Sequence, residues 1–424
     1  MRVVHVNHTD EGNGAARAAY RLHQGLRESG ISSGMFVRSR QSRDEPVSTF
    51  EPPSDLWVRL RRRLRREQIQ RAFGCYKGSR PERAELFYDD RTPHKGDALR
   101  QCPDADILNL HSIYGFVDHG AFFRNVRSPV VWTLHDMNAF TGGCQYNIGC
   151  RRFEEACGKC PQLGSNEDID LSRKVWKRKR EAYSHVIGEN RLQVVCPSEW
   201  MAQEAQASSL FTDVPVTVIP NGLDANSFYP RDTQGVGTAL GVPSDHRIVL
   251  FLASDTRPRK GFDLLDNALS GLGAEKTTLL SVGGDESELE SDLPHVHAGY
   301  VESDLLLSVF YSLADVFVIP SRQDNLPNTV LESMACATPV VGFDVGGIPD
   351  MVRPGETGWL AEEGDVPSLR AAIERALSEE VKRKRMSTRC REVVENEYTL
   401  EVQATAYRRL YEQILEEKKG QTRE

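Results

Sequence analysis

The sequence predicts an α/β protein of two domains. Short apolar runs rich in Val, Ile and Leu alternate with stretches of helical spacing, a pattern typical of parallel sheets flanked by helices. The 424 residues, 39% of them hydrophobic, are enough to bury two ordinary cores. Near the middle, the turn signal "IPNGLD" at residues 219–224 ends one apolar run and indicates a hinge.

The individual elements follow from these runs in chain order. Helical spacing predicts helices at 15–28, 201–209 and 368–377 and an amphipathic closing helix at 401–415. We expect an N-terminal domain at residues 1–215, onto which a terminal helix at about 400–424 packs back, and a C-terminal domain at residues 216–399. Nine β-rich runs predict strands, at residues 3–6, 107–110, 130–134, 193–196, 216–219, 248–252, 278–282, 316–319 and 340–343.

Charge and hydropathy exclude several function classes. The formal net charge of -8 argues against a nucleic-acid binder, which needs an excess of Lys and Arg to displace counterions from phosphates. A strand-like run begins at Val3, two residues after Met1, so we expect no signal peptide, and there is no run of about 18 apolar residues. We therefore expect a cytoplasmic protein whose contact with any membrane is peripheral.

The most informative segment is "PSRQDNLPNTVLESMA", residues 320–335, which follows the predicted strand 316–319. Ligands of open parallel sheets bind beyond the carboxyl ends of the strands. Pro327 favours a first helical turn, which leaves Asp324 on the loop and Glu332 near the start of the helix, where exposed amides could hold a diphosphate. The alternative is that Asp324 is an ordinary loop residue and that Glu332 is a first-turn acid, which stabilises a helix N-terminus without binding a ligand.

Two further strand ends carry candidate site residues. Gly12 and Gly14 lie where the first predicted strand turns into a helix, a position that lets backbone approach a ligand, although any such turn may use glycine. His135 and Asp136 follow the run 130–134. A lone histidine is more often structural than catalytic, and the residues alone leave both interpretations open.

Taken together, these motifs resemble the retaining family 4 glycosyltransferases. The resemblance rests on the acidic pair, on "IPNGLDANSFYP" ending at Pro230, on residues 297–321, and on residues 341–360 with Gly346-Gly347-Ile348-Pro349 and "GETG". It implies the GT-B fold, two Rossmann-like domains that face each other across a cleft. It also implies a UDP- or GDP-linked sugar donor and no catalytic metal.

The resemblance further implies roles for individual residues. Asp324 would hold the donor sugar, although the family normally has Glu there, and Glu332 would hold the ribose. Lys260, before Gly261, matches the lysine that contacts the diphosphate, and its charge would stabilise the departing nucleotide. The family's arginine falls by direct counting on Ser254, so we assign Arg257, or Arg259, in its place. His135 would lie near the transferred sugar, and the expected catalytic residues are His135, Asp324 and Lys260. The remaining expected contacts with the donor are Gly12, Gly14, Asn325, Leu326 and Asn328.

Two basic runs, at residues 59–66 and 173–180, suggest contact with anionic lipid. Trp57, Leu60 and Leu64 share one helical face beside the first run, which is compatible with docking on head groups. The alternative is a solvated helix face. A lipid-linked acceptor would give such a surface a use.

Four cysteines cluster just after His135 with the spacing CX5CX6CX2C: Cys144, Cys150, Cys157 and Cys160. Four thiolates form a closed tetrahedral Zn²⁺ site, which would fix the loop rather than catalyse. Two disulfides, reduced thiols and an iron–sulfur cluster are the alternatives, of which a cytoplasmic setting disfavours disulfides.

The leading hypothesis is a glycosyltransferase of hexosyltransferase type that acts on a glycan or lipid-linked acceptor in surface polysaccharide or glycoconjugate synthesis. A sugar-nucleotide epimerase is the second enzymatic hypothesis. A noncatalytic sugar-nucleotide-binding protein is the third, and the departures at Asp324 and Ser254 would favour it.

Overall fold

The computed structural model describes residues 1–42, 46–252, 257–272, 276–284 and 293–421. The chain divides into two compact units, Met1–Pro220 together with the residues after Val402, and Asn221–Val402. Both units are α/β, as the sequence predicts. No helix within the described ranges is both long and apolar enough to span a bilayer.

The N-terminal unit is built on a parallel sheet of seven described strands in the order β3-β2-β1-β4-β5-β6-β7. Its strands are β1 (Arg2–Thr9), β2 (Ser32–Ser39), β3 (Val47–Thr49), β4 (Ile107–Leu110), β5 (Val130–Thr133), β6 (Leu192–Cys196) and β7 (Val216–Val218). Its helices up to β7 are α1 (Gly14–Glu28), α2 (Leu56–Gly74), α3 (Asp97–Gln101), α4 (His119–Asn125), α5 (Leu171–Ile187) and α6 (Glu199–Ala207). The strand order reverses between β1 and β4, which makes their carboxyl ends the topological switch point where such sheets bind ligands.

The C-terminal unit holds a parallel sheet of six described strands in the order β10-β9-β8-β11-β12-β13, with its switch point between β8 and β11. Its strands are β8 (Arg247–Leu252), β9 (Thr277–Val282), β10 (His295–His297), β11 (Val316–Ile319), β12 (Val340–Phe343) and β13 (Gly358–Ala361). Its helices are α7 (Val236–Ala239), α8 (Phe262–Leu269), α9 (Asp304–Leu313), α10 (Asn328–Ala335), α11 (Ile348–Met351), α12 (Val366–Ser378) and α13 (Glu380–Glu397).

The closing helix, α14 (Leu400–Gln421), belongs to the N-terminal unit from Gln403 onward. Tyr407 and Tyr411 are fully buried in one cluster with Val3 of β1. Their hydroxyls also satisfy polar groups of the sheet: Asn109 Nδ2 donates to Tyr411 at 2.8 Å, and the Tyr407 and Thr133 hydroxyls lie 2.9 Å apart. The helix therefore covers one face of the first sheet with both apolar area and hydrogen bonds.

The structure places the division between the units later than residue 215. The strand β7, which the sequence-based boundary assigned to the C-terminal domain, pairs with β6 in the first sheet, since Val194 is in register with Val216. Pro327 also lies one residue earlier than expected, at the N-cap of α10 rather than inside its first turn. Both differences arise because short turns next to a strand or helix leave the last paired residue undefined in the sequence.

Candidate functional site

The loops that follow β8 and β11 meet at the switch point of the second sheet. Lys260, after β8, donates from Nζ to Oδ2 of Asp324, after β11, at 2.7 Å. Gly261 makes this approach possible: its φ is +68°, and a Cβ there would lie 1.8 Å from the carbonyl oxygen of Pro320. The sequence thus brings a lysine and a carboxylate together where an α/β sheet binds its ligand.

Asp324 is a buried carboxylate held in its charged form. Burial alone would raise its pKa, but the charges of Lys260 and Arg259 and the hydrogen bonds from Lys260 and Ser321 outweigh burial and lower the pKa below its ordinary value of 3.8. Oδ1 lies 3.6 Å from Nη1 of Arg259, and Oδ2 accepts from Ser321 Oγ at 3.2 Å. The side chain therefore carries a negative charge at neutral pH.

The double glycine of the C-terminal motif supports the same loop from behind. The amide of Gly347 donates to the carbonyl oxygen of Asp324 at 3.0 Å. A Cβ on Gly346, whose φ is +57°, would lie 2.0 Å from that oxygen. A side chain at Gly346 would therefore displace the loop that carries the acid.

The start of α10 presents the remaining predicted donor contacts. No side chain caps this helix in the described structure, and Asn325 and Leu326 lie in the buried loop before it. Asn221 reaches the same loop, with Nδ2 3.5 Å from the oxygen of Leu326 and 3.4 Å from Oδ1 of Asn328. Sequence reasoning assigned Asn221 to the hinge and missed this contact, although "PNG" places it beside a turn.

Glu332 is buried on α10, with 2% of its surface exposed, and accepts from the hydroxyl of Tyr311 at 3.3 Å. Asp324 lies on the loop before the helix, as the sequence indicates. Tyr311 is a second residue that sequence reasoning missed, because its position within the run of α9 is typical of a core aromatic.

Arg259 is the arginine that contacts Asp324. Its Nη1 donates to the carbonyl oxygen of Gln323 at 2.7 Å, and its side chain is 5% exposed. Arg257 instead starts the short 3-10 turn Pro258–Lys260, where its carbonyl oxygen accepts from the amide of Lys260 at 2.9 Å. Ser254 lies outside the described residues.

In the N-terminal unit, Gly12 and Gly14 lie where expected, between β1 and α1. Gly12 has a φ of +99°, and a Cβ there would lie 2.8 Å from Oε1 of Gln41. Gly14 is the first residue of α1, whose N-cap Asn13 accepts from the amide of Ala16. Asp10 fixes the loop by accepting from the amides of Gln41 and Ser42 at 2.7 and 3.0 Å.

His135 follows β5 and is partly buried. Burial lowers its pKa to about 4, so the ring is neutral at pH 7. Its Nε2 lies 2.9 Å from Nδ1 of His111, a residue that sequence reasoning missed although it follows the run 107–110 much as His135 follows its own. The adjacent Asp136 accepts from the amide of Asn138 at 2.8 Å and from Gln145 at 3.0 Å, which fixes the loop after His135.

The four clustered cysteines line one cavity in the N-terminal unit, together with Phe87 and Phe153. They are free thiols in the structure. Burial raises the pKa of Cys157 to about 12 and that of Cys160 to about 11, so these thiols are protonated at neutral pH without a metal. Across the described ranges, no group of three or more His, Cys, Asp or Glu side chains is arranged to hold a metal ion. Zinc binding therefore stays a prediction.

The first basic run forms the exposed helix α2, none of whose residues is buried. Leu56, Trp57, Leu60 and Leu64 are 72%, 70%, 46% and 58% exposed. Arg65 is turned inward, where it pairs with Asp118 at 2.8 Å. The helix thus presents an apolar stripe to solvent, while the ion pair of Arg65 with Asp118 attaches it to the rest of the unit.

The second basic run is largely structural. Arg178 pairs with Asp89 at 3.1 Å and also with Asp90. Lys179 is fully buried and donates to the carbonyl oxygens of Asn138 and Thr141. The expectation that this whole run meets a membrane is therefore wrong for Arg178 and Lys179, because their charged groups pair with carboxylates and carbonyl oxygens of the protein itself.

Comparison with known proteins agrees with this architecture. The profile described as Glycosyltransferase Family 4 matches residues 12–227, and the one described as Glycosyl transferases group 1 matches residues 246–379. The structure is similar to that of Anabaena HepE in complex with UDP-glucose, with a TM-score of 0.62 and 15% identity over 99% of this chain and 100% of that one. At this identity the likeness shows the fold alone.

Curated relatives match part of the chain. N-acetyl-alpha-D-glucosaminyl L-malate synthase of Bacillus anthracis is 24% identical over 212 residues, which cover 48% of this chain and 55% of the relative. D-inositol 3-phosphate glycosyltransferase of Geodermatophilus obscurus is 34% identical over 180 residues, which cover 38% of this chain and 40% of the relative. The chain spans about half the length of the curated relatives it matches. Since the family 4 profile alone accounts for half of the chain, the protein belongs to glycosyltransferase family 4 and has the GT-B fold.

Proposed function

We propose that the protein is a retaining glycosyltransferase of hexosyltransferase type, which transfers a sugar from a nucleotide-sugar donor to a glycan or lipid-linked acceptor. The observation that carries the proposal is the contact of Lys260 with Asp324 at the switch point of the second sheet. It combines a cation suited to a diphosphate with a buried acid suited to sugar hydroxyls. The uncapped start of α10 adds backbone amides beside them.

The proposed chemistry relies on charge stabilisation. As the bond between sugar and diphosphate breaks, negative charge grows on the leaving nucleotide, and Lys260, Arg259 or Arg257 and the amides of α10 would stabilise it. Asp324 would orient the sugar, and Glu332 the ribose. Gly12 and Gly14 are proposed contacts of the donor phosphates. His135 is proposed to act beside the transferred sugar as a neutral ring.

The donor is proposed to be UDP- or GDP-linked, with no catalytic metal. The structure of HepE, a protein of the same fold, was determined with UDP-glucose, which supports UDP as the first donor to test. The cationic groups near Asp324 would supply the charge that a metal provides at other diphosphate sites. Transfer that is unaffected by EDTA is the expected result.

The acceptor is proposed to be lipid-linked, in surface polysaccharide or glycoconjugate synthesis, with the protein at the cytoplasmic face of a membrane. The apolar stripe of α2 supports this proposal, since exposed Trp and Leu flanked by arginines match the head groups and outer acyl region of an anionic bilayer. Arg59, Arg61 and Arg63 are exposed and lie on or beside the stripe.

A panel of UDP-, GDP- and ADP-sugars tests the proposal. Nucleotide release that depends on acceptor, with a retained anomeric configuration in the product, is expected. An epimerase would convert the sugar nucleotide without acceptor, and a noncatalytic protein would bind nucleotide without turnover. Either outcome would refute transfer.

A further inference from the structure

Three histidines of the N-terminal unit form one hydrogen-bonded row at its switch point. Nδ1 of His5, on β1, lies 2.9 Å from Nε2 of His111, which follows β4. Nδ1 of His111 lies 2.9 Å from Nε2 of His135, which follows β5. The neighbouring rings are stacked, with centroids 5.2 Å apart in both pairs. The row runs from the core of the sheet to the partly exposed ring of His135.

All three rings are neutral at pH 7. His5 is 0% and His111 3% exposed, and burial lowers the pKa of each well below 6.5. His135 follows the same rule, with its pKa near 4. A neutral imidazole has one N–H donor and one acceptor nitrogen.

Two contacts between three neutral rings can be satisfied in two ways. If His111 has its proton on Nδ1, it donates to His135 and accepts from His5, so His135 must have its own proton on Nδ1. If His111 has its proton on Nε2, both bonds reverse, and His135 must have its proton on Nε2. The tautomers of the three rings are therefore linked.

The buried end of the row distinguishes the two arrangements. Nε2 of His5 is buried without a hydrogen-bond partner among the described residues. In the second arrangement this atom is an N–H, and a buried N–H without a partner is rarer and more costly than a bare acceptor. The first arrangement leaves only an unused lone pair there and is favoured.

We propose that His5 and His111 are positioning residues that hold His135 in the Nδ1–H tautomer, so that His135 meets its substrate as a hydrogen-bond donor and not as a base. The statement about substrate rests on the proposed function, whereas the tautomer does not. A donor at this place suits a reaction in which negative charge develops or a hydroxyl oxygen must be held. It also means that His135 takes no proton from the acceptor through Nδ1.

Nitrogen NMR of the full chain labelled at histidine with ¹⁵N tests the proposal. Long-range ¹H–¹⁵N spectra distinguish the two neutral tautomers, and His135→Gln identifies the signals of His135. The wild-type spectrum should show His135 as the Nδ1–H form. An Nε2–H form would overturn the proposal without any variant having to fold.

Two substitutions at one site then test the linkage. His5→Asn keeps an N–H donor near the position of Nδ1 and should preserve the tautomer of His135. His5→Met offers His111 a weak sulfur acceptor and no donor, so His111 should donate from Nε2 and His135 should shift toward Nε2–H. The matched control is His119→Met, since His119 is a buried histidine that contacts Tyr183 outside the row. A tautomer of His135 that is the same in His5→Met as in the wild type would refute the linkage.

A measurement of transferase activity distinguishes a failure of this proposal from a failure of the proposed function. Where transfer occurs, His5→Met should lower kcat by roughly 10- to 100-fold, the effect of one misdirected hydrogen bond, with nucleotide affinity unchanged. His5→Asn should retain most of the wild-type kcat. The expected tautomer in a protein without transferase activity would refute the proposed function alone, and active enzyme with the opposite tautomer would refute the row alone.

Discussion

Replacing Asp324 by Ala should slow turnover without weakening nucleotide binding. In the structure this carboxylate accepts from Lys260 at 2.7 Å and lies 3.6 Å from Arg259, so it partly neutralises the cations proposed to hold the diphosphate. Its removal frees those cations and deletes the group proposed to orient the sugar. Nucleotide alone should therefore bind at least as well as before.

The size of the effect follows from the kind of contact. One hydrogen bond to a charged group contributes about 1.5 to 3 kcal/mol, which corresponds to roughly a 10- to 100-fold loss of kcat if the bond is made in the transition state. Glu332→Ala should lose a comparable factor in Kd for the nucleotide, because Glu332 is proposed to hold the ribose and the ribose does not react. The two acids should thus affect different constants.

Calorimetric titration of UDP and GDP, with initial rates of transfer, measures both constants. Asp263→Ala is the matched control, because Asp263 also pairs with a cation, Arg322 at 2.6 Å, but its side chain is 51% exposed. Asp324→Asn serves as a second variant, and thermal unfolding of each protein shows that it is folded. Equal loss of nucleotide affinity in Asp324→Ala and Glu332→Ala would refute the assignment.

Three further predictions concern the N-terminal unit. Neutralising the exposed Arg59, Arg61 and Arg63 should abolish sedimentation with anionic vesicles, whereas Arg62→Gln should not; unchanged sedimentation of the triple variant would disprove docking through α2. Protein purified without oxygen should contain close to one zinc per chain, and the Cys157→Ser variant should contain no zinc and have a disordered loop around the cysteines. Four freely titrating thiols without metal would exclude the zinc site. Tyr411→Phe should lower the free energy of unfolding by about 1 to 3 kcal/mol, because Asn109 keeps a buried donor without its acceptor, and an unchanged urea midpoint would contradict the packing of α14.

The sequence was most informative where a strand is buried on both faces. The runs that gave β4, β11 and β12 match the observed bounds, since short runs dominated by Val, Ile, Leu and Phe are typical of buried strands in an α/β protein. The strands β2, β3, β10 and β13 were not predicted. They contain Ser, Gly, His or Thr beside their apolar residues, so pairing with a neighbouring strand, and not composition, defines them.

The residues of the candidate site likewise fall into those that the sequence could indicate and those that only the fold brings together. Asp324 and Lys260 could be named because a motif of recognisable order surrounds them, and the structure brings them into contact. Arg259 could not be separated from Arg257 by counting, because the direction of each side chain depends on the turn at Gly261. The histidine row was missed because His5 lies about a hundred residues from its partner, and only the pairing of β1 with β4 brings the two together.

The switch points of the two sheets place polar groups at the end of a buried sheet by different chemistry. Each must expose polar groups at the end of a buried sheet, where an uncompensated charge is costly. The second sheet pairs its charges, so that Lys260 and Arg259 keep Asp324 ionised and the cations remain near a place suited to phosphate. The first sheet uses neutral histidines whose single protons are ordered by one another. A charge introduced into that row, as in His111→Lys, would be buried without a carboxylate partner from the row, so we expect it to cost more stability than the same change at an exposed strand end.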